Sequence, residues 1–336
     1  MSSTVNIGEL PTAFDPETCV RKGLCPVTKL RPQGPEALES HSLYFEQHGN
    51  GTKYKVVFIM GLNSSSFAWA PQVRHFGRSE ECTALLFDNR GVGNSGYPRG
   101  PYTTAGMAED AICLLDYVGW TEKRDIHVVG ISLGGMIAQE LATRIPDRIA
   151  SLTLAVTTPG GHIYQNFPPW KGLISLAKLM ITPDPEKKVP VVMPMLFPEE
   201  WLKLKDEHDP QGRKNMDVQV EAFLRRVTIT KPQQFMGHIS QMAAALMHHV
   251  TPDRLRAISA SIPKVIIVTG DDDNLVGPWH SLELKSAMPE AEFIQWEQTG
   301  HGIHAQRPKE FNALLEKTFK EGKEKVEAGW TPSNSA

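Results

Sequence analysis

Between residues 43 and 320 the chain alternates short, β-branched apolar runs with longer segments of helical periodicity. No other feature narrows the possible folds as much. The runs lie at 43–46, 55–60, 83–87, 126–129, 149–156, 264–268 and 292–296. Each is bounded by Gly, Pro or Asp, as buried parallel strands are. Helical patterns cover 70–76, 103–118, 133–144, 278–287 and 308–319. The third stops before Pro146, and the last two begin at Pro278 and Pro308, where a missing N–H costs nothing. The expected fold is α/β: a mostly parallel, doubly wound sheet with helices on both faces.

The alternation breaks once. About a hundred residues separate Val156 from Lys264, far more than a crossover needs. That interval holds Trp170, Trp201 and seven of the twelve Met (180, 193, 195, 216, 236, 242, 247). Residues 241–258 read as one core helix leading into the next strand, so 162–236 reads as an inserted helical cap. Residues 1–40, rich in Pro, Gly, Thr and charge, read as an N-terminal arm with little strand or helix signal. Residues 326–336 read as a polar tail. The expected organisation is one core, 41–161 and 237–325, carrying a lid.

Composition excludes several classes. A net charge of −3 gives no basic footprint for nucleic acid. Charged residues at 22% and apolar residues at 40% describe a folded chain, not a disordered one. Four Cys in 336 residues, none in a C-x-x-C pair, support neither a disulfide framework nor a metal site. The N-terminus lacks the basic and apolar regions of a secretory leader, and no apolar stretch approaches a membrane span. The cytoplasm is the expected compartment, and a small molecule the expected partner.

The sharpest motif is Gly130-Ile131-Ser132-Leu133-Gly134, set between the run 126–129 and the helical segment 133–144. This is G-x-S-x-G in a strand–turn–helix context, the arrangement of a nucleophile elbow. A Ser on so tight a turn needs strained backbone angles, and glycines on either side supply the clearance. The helix N-terminus adds free N–H groups and positive partial charge beside the hydroxyl. A Ser nucleophile needs a base, and the base an orienting acid. His301, in Thr299-Gly300-His301-Gly302, follows the run 292–296 on a glycine-flanked loop and fits the base better than its neighbour His304. The acid should follow the run 264–268, where the chain reads Gly270-Asp271-Asp272-Asp273. Asp273 is the choice and Asp272 the fallback. A calcium site would need more oxygens than this cluster offers.

With these motifs the chain resembles the α/β-hydrolase superfamily over about 43–160 and 240–320. Asp88-Asn89-Arg90-Gly91-Val92-Gly93-Asn94-Ser95 resembles the loop these proteins carry after their fourth strand, and Met60-Gly61-Leu62-Asn63 resembles their oxyanion loop. The resemblance implies Ser132, Asp273 and His301 as triad, with the backbone N–H groups of Leu62 and Leu133 as oxyanion hole. It implies no cofactor and no metal. The stretch around Ser132 is similar to enol-lactonase, cofactor-free haloperoxidase and small esterase members. Asn63 and Trp170 are the expected substrate contacts. Where many relatives have His-Gly, this chain has Met60-Gly61, which leaves the support of that loop open. Ser132, not Asp, at the elbow argues against epoxide hydrolases and dehalogenases.

A second glycine motif, Gly91-x-Gly93-x-x-Gly96, matches the dinucleotide fingerprint, but Pro98, Gly100 and Pro101 follow where that motif must open a helix. Asp88 and Arg90 are expected to brace this turn instead. The function expected is hydrolysis of a small, apolar carboxylic ester or lactone through an acyl-enzyme on Ser132. The alternatives are a carbon–carbon bond hydrolase or perhydrolase with the same triad, or a ligand receptor on the same fold.

Overall fold

The computed structural model describes residues 10–30, 38–207 and 209–332. Its strands are β1 (Cys19–Leu30), β2 (Leu38–His48), β3 (Tyr54–Ile59), β4 (Cys82–Phe87), β5 (Ile126–Ile131), β6 (Ile149–Ala155), β7 (Lys264–Gly270) and β8 (Glu292–Trp296). They form one sheet in the order β1-β2-β4-β3-β5-β6-β7-β8. From β4 to β8 every pairing is parallel, while β1–β2 and β2–β4 are antiparallel.

Strand periodicity divides the interior into two cores. Val57, Ile59, Leu85, Phe87, Val128, Leu152 and Ile267 point to one face. Their alternates Val56, Phe58, Ala84, Leu86, Val129, Ile266 and Val268 point to the other. The first face is covered by α2 (Thr104–Tyr117), α3 (Leu133–Arg144), α9 (Pro252–Ser261) and α10 (Trp279–Ala287). The second is covered by α1 (Ala70–Phe76), α11 (Ile303–Gln306) and α12 (Pro308–Glu327). Both strand faces are buried, which is why these runs read as continuous apolar sequence.

Between β6 and β7 lie α4 (Trp170–Ile181), α5 (Pro185–Leu196), α6 (Glu199–Lys203), α7 (Asn215–Ile229) and α8 (Phe235–Leu246). Val192, Met193, Phe197 and Leu202 form a third, small core there, joined by Trp201, Met216, Val220 and Phe223. Two of the methionines of this interval, Met193 and Met216, thus pack the insertion itself. Among the described residues no helix is long and apolar enough to cross a membrane.

Three expectations need correction. Residues 19–30, read as part of an arm, form an edge strand paired with β2 from Cys19↔His48 to Leu30↔Leu38. Its signal is masked by Gly23, Pro26 and exposed polar residues, which an edge tolerates, while Cys25 and Val27 are fully buried beneath it. Residues 1–9 and 31–37 of the expected arm, and 333–336 of the tail, lie outside the described residues. The single helix expected over 241–258 is two, because Pro252 opens α9 under a Thr251 cap that accepts from Arg254 N–H. The last helix runs to Glu327, since Phe311, Leu314, Leu315, Thr318, Phe319 and Gly322 keep one face buried well past 319.

Burial also sets the acid response. His127, His248 and His304 are enclosed, and burial pushes each imidazole down to about 3. Unfolding returns them to roughly 6.5, so between those values the unfolded chain holds more protons and stability falls with falling pH. From pH 7 to 5 each should cost about 2 kcal/mol. Burial pushes Asp88 up to about 6, against its N–H and hydroxyl donors, which offsets about 1 kcal/mol in the opposite sense. Urea unfolding at the two pH values should show a lower midpoint at pH 5, and His127→Phe should reduce the difference. A midpoint that holds or rises on acidification would contradict this account.

Candidate active site

Ser132 sits between β5 and α3 at φ 55° and ψ −124°, a left-handed conformation that a side chain rarely adopts. Close backbone approach on every side holds it there. A Cβ on Gly130 would lie 2.3 Å from the Gly134 carbonyl oxygen, and one on Gly134 would lie 2.0 Å from the Ile59 carbonyl oxygen. The Ser132 N–H donates to the Ala155 carbonyl at 2.9 Å, and its own carbonyl accepts from Thr157 Oγ1 at 2.8 Å. Ser132 Oγ makes no hydrogen bond to another described residue and is partly exposed.

His301 and Asp273 come together from the ends of neighbouring strands. His301 Nδ1 lies 2.8 Å from Asp273 Oδ2, and the two residues are 7% and 5% exposed. The other carboxylate oxygen of Asp273 accepts from the N–H groups of Leu275 (2.8 Å) and Val276 (2.9 Å), which fixes its plane. Of the three adjacent aspartates, Asp271 instead accepts from Thr299 N–H, and Asp272 from Asn274 Nδ2. The glycines around His301 serve packing: a Cβ on Gly300 would meet the Leu196 carbonyl at 2.6 Å, and one on Gly302 the Phe197 ring at 2.4 Å. Because β5, β7 and β8 are parallel, Ser132, Asp273 and His301 all follow carboxyl ends at one edge of the sheet. His304 is apart from them: its Nε2 lies 3.2 Å from the Ala68 carbonyl and its ring packs on Trp69.

The Met60–Asn63 loop passes directly over the elbow. A Cβ on Gly61 would stand 3.1 Å from Ser132 Cβ and 3.6 Å from Ser132 Oγ. Leu62 follows, and Leu133 opens α3, whose first N–H groups have no partner within the helix. The support left open by Met60 is supplied by amides. Asn89 Nδ2 donates to the Met60 carbonyl at 2.9 Å. Gln241 Oε1 accepts from Asn63 N–H at 2.8 Å, and Gln241 Nε2 donates to the Arg90 carbonyl at 2.7 Å. Gln233 Nε2 bridges Asn63 Oδ1 and the Gly91 carbonyl. Asp88 and Arg90 do brace their turn. Asp88 accepts from the N–H and hydroxyl of Ser66 and from Asn94 N–H, and Arg90 grips Asp110 with two N–H donors at 2.6 and 2.7 Å. After Gly96 no helix opens before Thr104, so the glycine motif there has no dinucleotide geometry.

Of the two expected substrate contacts, Asn63 lies on the loop over the elbow and Trp170 opens α4. The Asn63 side chain is engaged by Gln233, so its visible role is to hold the loop. Trp170 is 73% exposed, because the buried residue of α4 is Gly172, pressed on the Asn274 carbonyl. The two glutamines were not singled out in the sequence; their signal is a contact between segments about 170 residues apart, which local pattern does not carry. Among the described residues one trio, Cys19, Glu46 and His48, has its ligand atoms close enough to hold a metal ion. Both His48 ring nitrogens already have partners there, Thr18 Oγ1 and Glu46 Oε2, so an ion would have to displace one.

Comparison with known proteins identifies the family of the chain. Residues 48–314 match the model of a family described as the alpha/beta hydrolase family. RutD of Azorhizobium caulinodans, a candidate carbamate hydrolase, is 26% identical over 275 residues, covering 81% of this chain and 93% of that protein. A thermophilic esterase from Thermogutta terrifontis superposes with a TM-score of 0.67 at 19% identity, covering 89% of this chain and 99% of that one. The enol-lactonase from Burkholderia xenovorans LB400 does so with 0.65 at 21% identity, covering 83% and 97%. At these identities the structural likenesses speak to the fold.

The packing of the elbow has a direct consequence. Gly134→Ala forces a methyl group into the Ile59 carbonyl, a backbone atom that cannot swing away. The substitution should cost at least about 3 kcal/mol in chemical unfolding, the upper part of the overpacking range. A loss below about 1 kcal/mol would show that the strand and the helix are not held this closely.

Proposed function

Because the chain belongs to the alpha/beta hydrolase family, we propose that it is a serine hydrolase acting on a carboxylic ester or lactone of a small, largely apolar substrate. The observation that carries this reading is the 2.8 Å contact of His301 Nδ1 with a buried Asp273, at the same sheet edge as a strained Ser132. Asp273 would hold the imidazole with Nδ1 protonated, leaving Nε2 free to act as base. As Ser132 Oγ attacks the carbonyl carbon, its proton passes to His301 Nε2 and the carbonyl oxygen becomes an oxyanion. The N–H groups of Leu62 and Leu133 are the donors assigned to that charge, each worth about 10²–10³ in rate. Collapse of the intermediate breaks the ester C–O bond, and His301 returns the proton to the departing oxygen. A water molecule, deprotonated by His301, then attacks the acyl-enzyme and frees Ser132.

Every group in this cycle belongs to the chain itself, and no step draws on a cofactor. The names of relatives and neighbours (carbamate hydrolase, esterase, enol-lactonase) all describe cleavage next to a carbonyl, in keeping with this chemistry. The helices of 162–236 serve as the cap, and the Leu196 carbonyl, which accepts from Gly302 N–H at 2.8 Å, ties that cap to the loop of His301.

Turnover of 4-nitrophenyl esters of rising chain length tests the reading. Ser132→Ala should lose about 10⁶ in kcat, keeping only the residual rate that binding and the oxyanion donors supply. Asp273→Asn should lose about 10³–10⁴ in kcat with little change in KM, since it spoils the tautomer and not the pocket. Undiminished turnover by folded Ser132→Ala would move the nucleophile elsewhere.

A further inference from the structure

Two loops of the site are bridged by a single helix. At its C-terminal end α7 reaches the loop beside Ser132: Ile229 packs on the core that contains Met60 and Ile303, and Thr230 Oγ1 lies 3.4 Å from Ser65 Oγ. Nearly two turns further back, Phe223 packs on the small core of Phe197, which also receives Ala305 and whose ring covers Gly302. Arg226 lies three residues from each of Phe223 and Ile229 and so stands between the Met60–Asn63 loop and the loop of His301.

The guanidinium of Arg226 has no hydrogen bond or ion pair with any described residue. That sets it apart from the buried Arg90, which is gripped by Asp110, and from Arg144 and Arg254, which share Glu140. Burial pulls the Arg226 guanidinium down to about 10, and its charge helps burial to keep neighbouring His304 neutral. Yet the side chain is only partly covered. A cation set close to His304 that still presents surface is open to an anionic partner, and a half-buried cation left unpaired is costly unless something arrives to pair with it. Its surroundings add no compensating acid. Lys188 on α5 makes no ion pair with a described residue, and its charge adds to burial in lowering the pKa of His238. His238 stands one turn from Gln241 on α8, and its buried Nε2 has no partner.

We propose that Arg226 is the carboxylate-binding residue of the substrate chamber, so that the ester or lactone turned over at Ser132 carries a carboxylate on an otherwise apolar frame. The planar guanidinium matches a carboxylate with two parallel N–H donors and fixes its distance from the reacting carbonyl. This inference rests on the serine-hydrolase reading and narrows its substrate class.

Paired substrates test it. One pair differs on the acyl side (the mono-4-nitrophenyl ester of glutaric acid against 4-nitrophenyl valerate), the other on the alcohol side (3-acetoxybenzoate against phenyl acetate). In at least one pair the wild type should favour the anion in kcat/KM, and Arg226→Met should lower that anion-to-neutral ratio roughly 10–100-fold. Arg226→Lys should retain part of it. A wild type that favours the neutral ester in both pairs, or a preference that survives in Arg226→Met, overturns the proposal; if neither variant folds, the wild-type ratios decide. Thermal stabilisation by glutarate, present in the wild type and lost in Arg226→Met, reads the same site without catalysis. A protein that hydrolyses no ester but shows that stabilisation has lost the hydrolase reading and kept the anion site.

Discussion

The site depends on one close contact: the α-carbon of Gly134 against the Ile59 carbonyl, with no room for even a methyl group between them. That contact brings the start of α3 onto the end of β3. It leaves Ser132 no conformation but the left-handed one, and the strain is held by the Ala155 carbonyl and the Thr157 hydroxyl on the neighbouring strand and its continuation. A serine so placed stands clear of its own helix, beside N–H groups that the helix does not use. The parallel order β5-β6-β7-β8 then delivers Asp273 and His301 to the same edge. The elbow is local chemistry; the meeting of the three side chains is topology.

Around that centre a network of amides replaces a single supporting side chain. Asn89 holds the Met60 carbonyl, while Gln241 and Gln233 tie Asn63 to the backbone of Arg90 and Gly91. Each bond is ordinary, on the order of 1 kcal/mol, but those from Asn89 to Met60 and from Gln241 to Arg90 are buried and expensive to leave unmade. Gln233 and Gln241 belong to the stretch that includes α8, so the loop over Ser132 is braced by a part of the chain about 170 residues away.

Much of this was legible in the residues. The central strands and α1, α3 and α10 could be placed within a residue or two, because β-branched runs, Gly and Pro mark them locally. Ser132 was legible for the same reason: its motif is a steric requirement written in consecutive positions. Asp273 was separable from Asp271 and Asp272 only by its spacing from Gly270, and the distances explain why, since each of the three takes a different partner. What could not be read was non-local. The strand β1 hides behind Gly23 and Pro26, which an edge allows; the glutamines act across about 170 residues; and the exposure of Trp170 follows from the packing of Gly172 on the other face of its helix. Arg226 carried no signal beyond being basic, because an unpaired charge is a property of its surroundings.

The central claim is that the strained serine of the elbow is the nucleophile. The most direct measurement is to treat the folded protein with a fluorophosphonate, digest it and locate the adduct by peptide mass spectrometry. The account predicts one phosphonyl group, on the peptide that contains Ser132, and no adduct when Asp273 and His301 are intact but Ser132 is alanine. A folded wild type that takes no label, or a label found on any other residue, would contradict it.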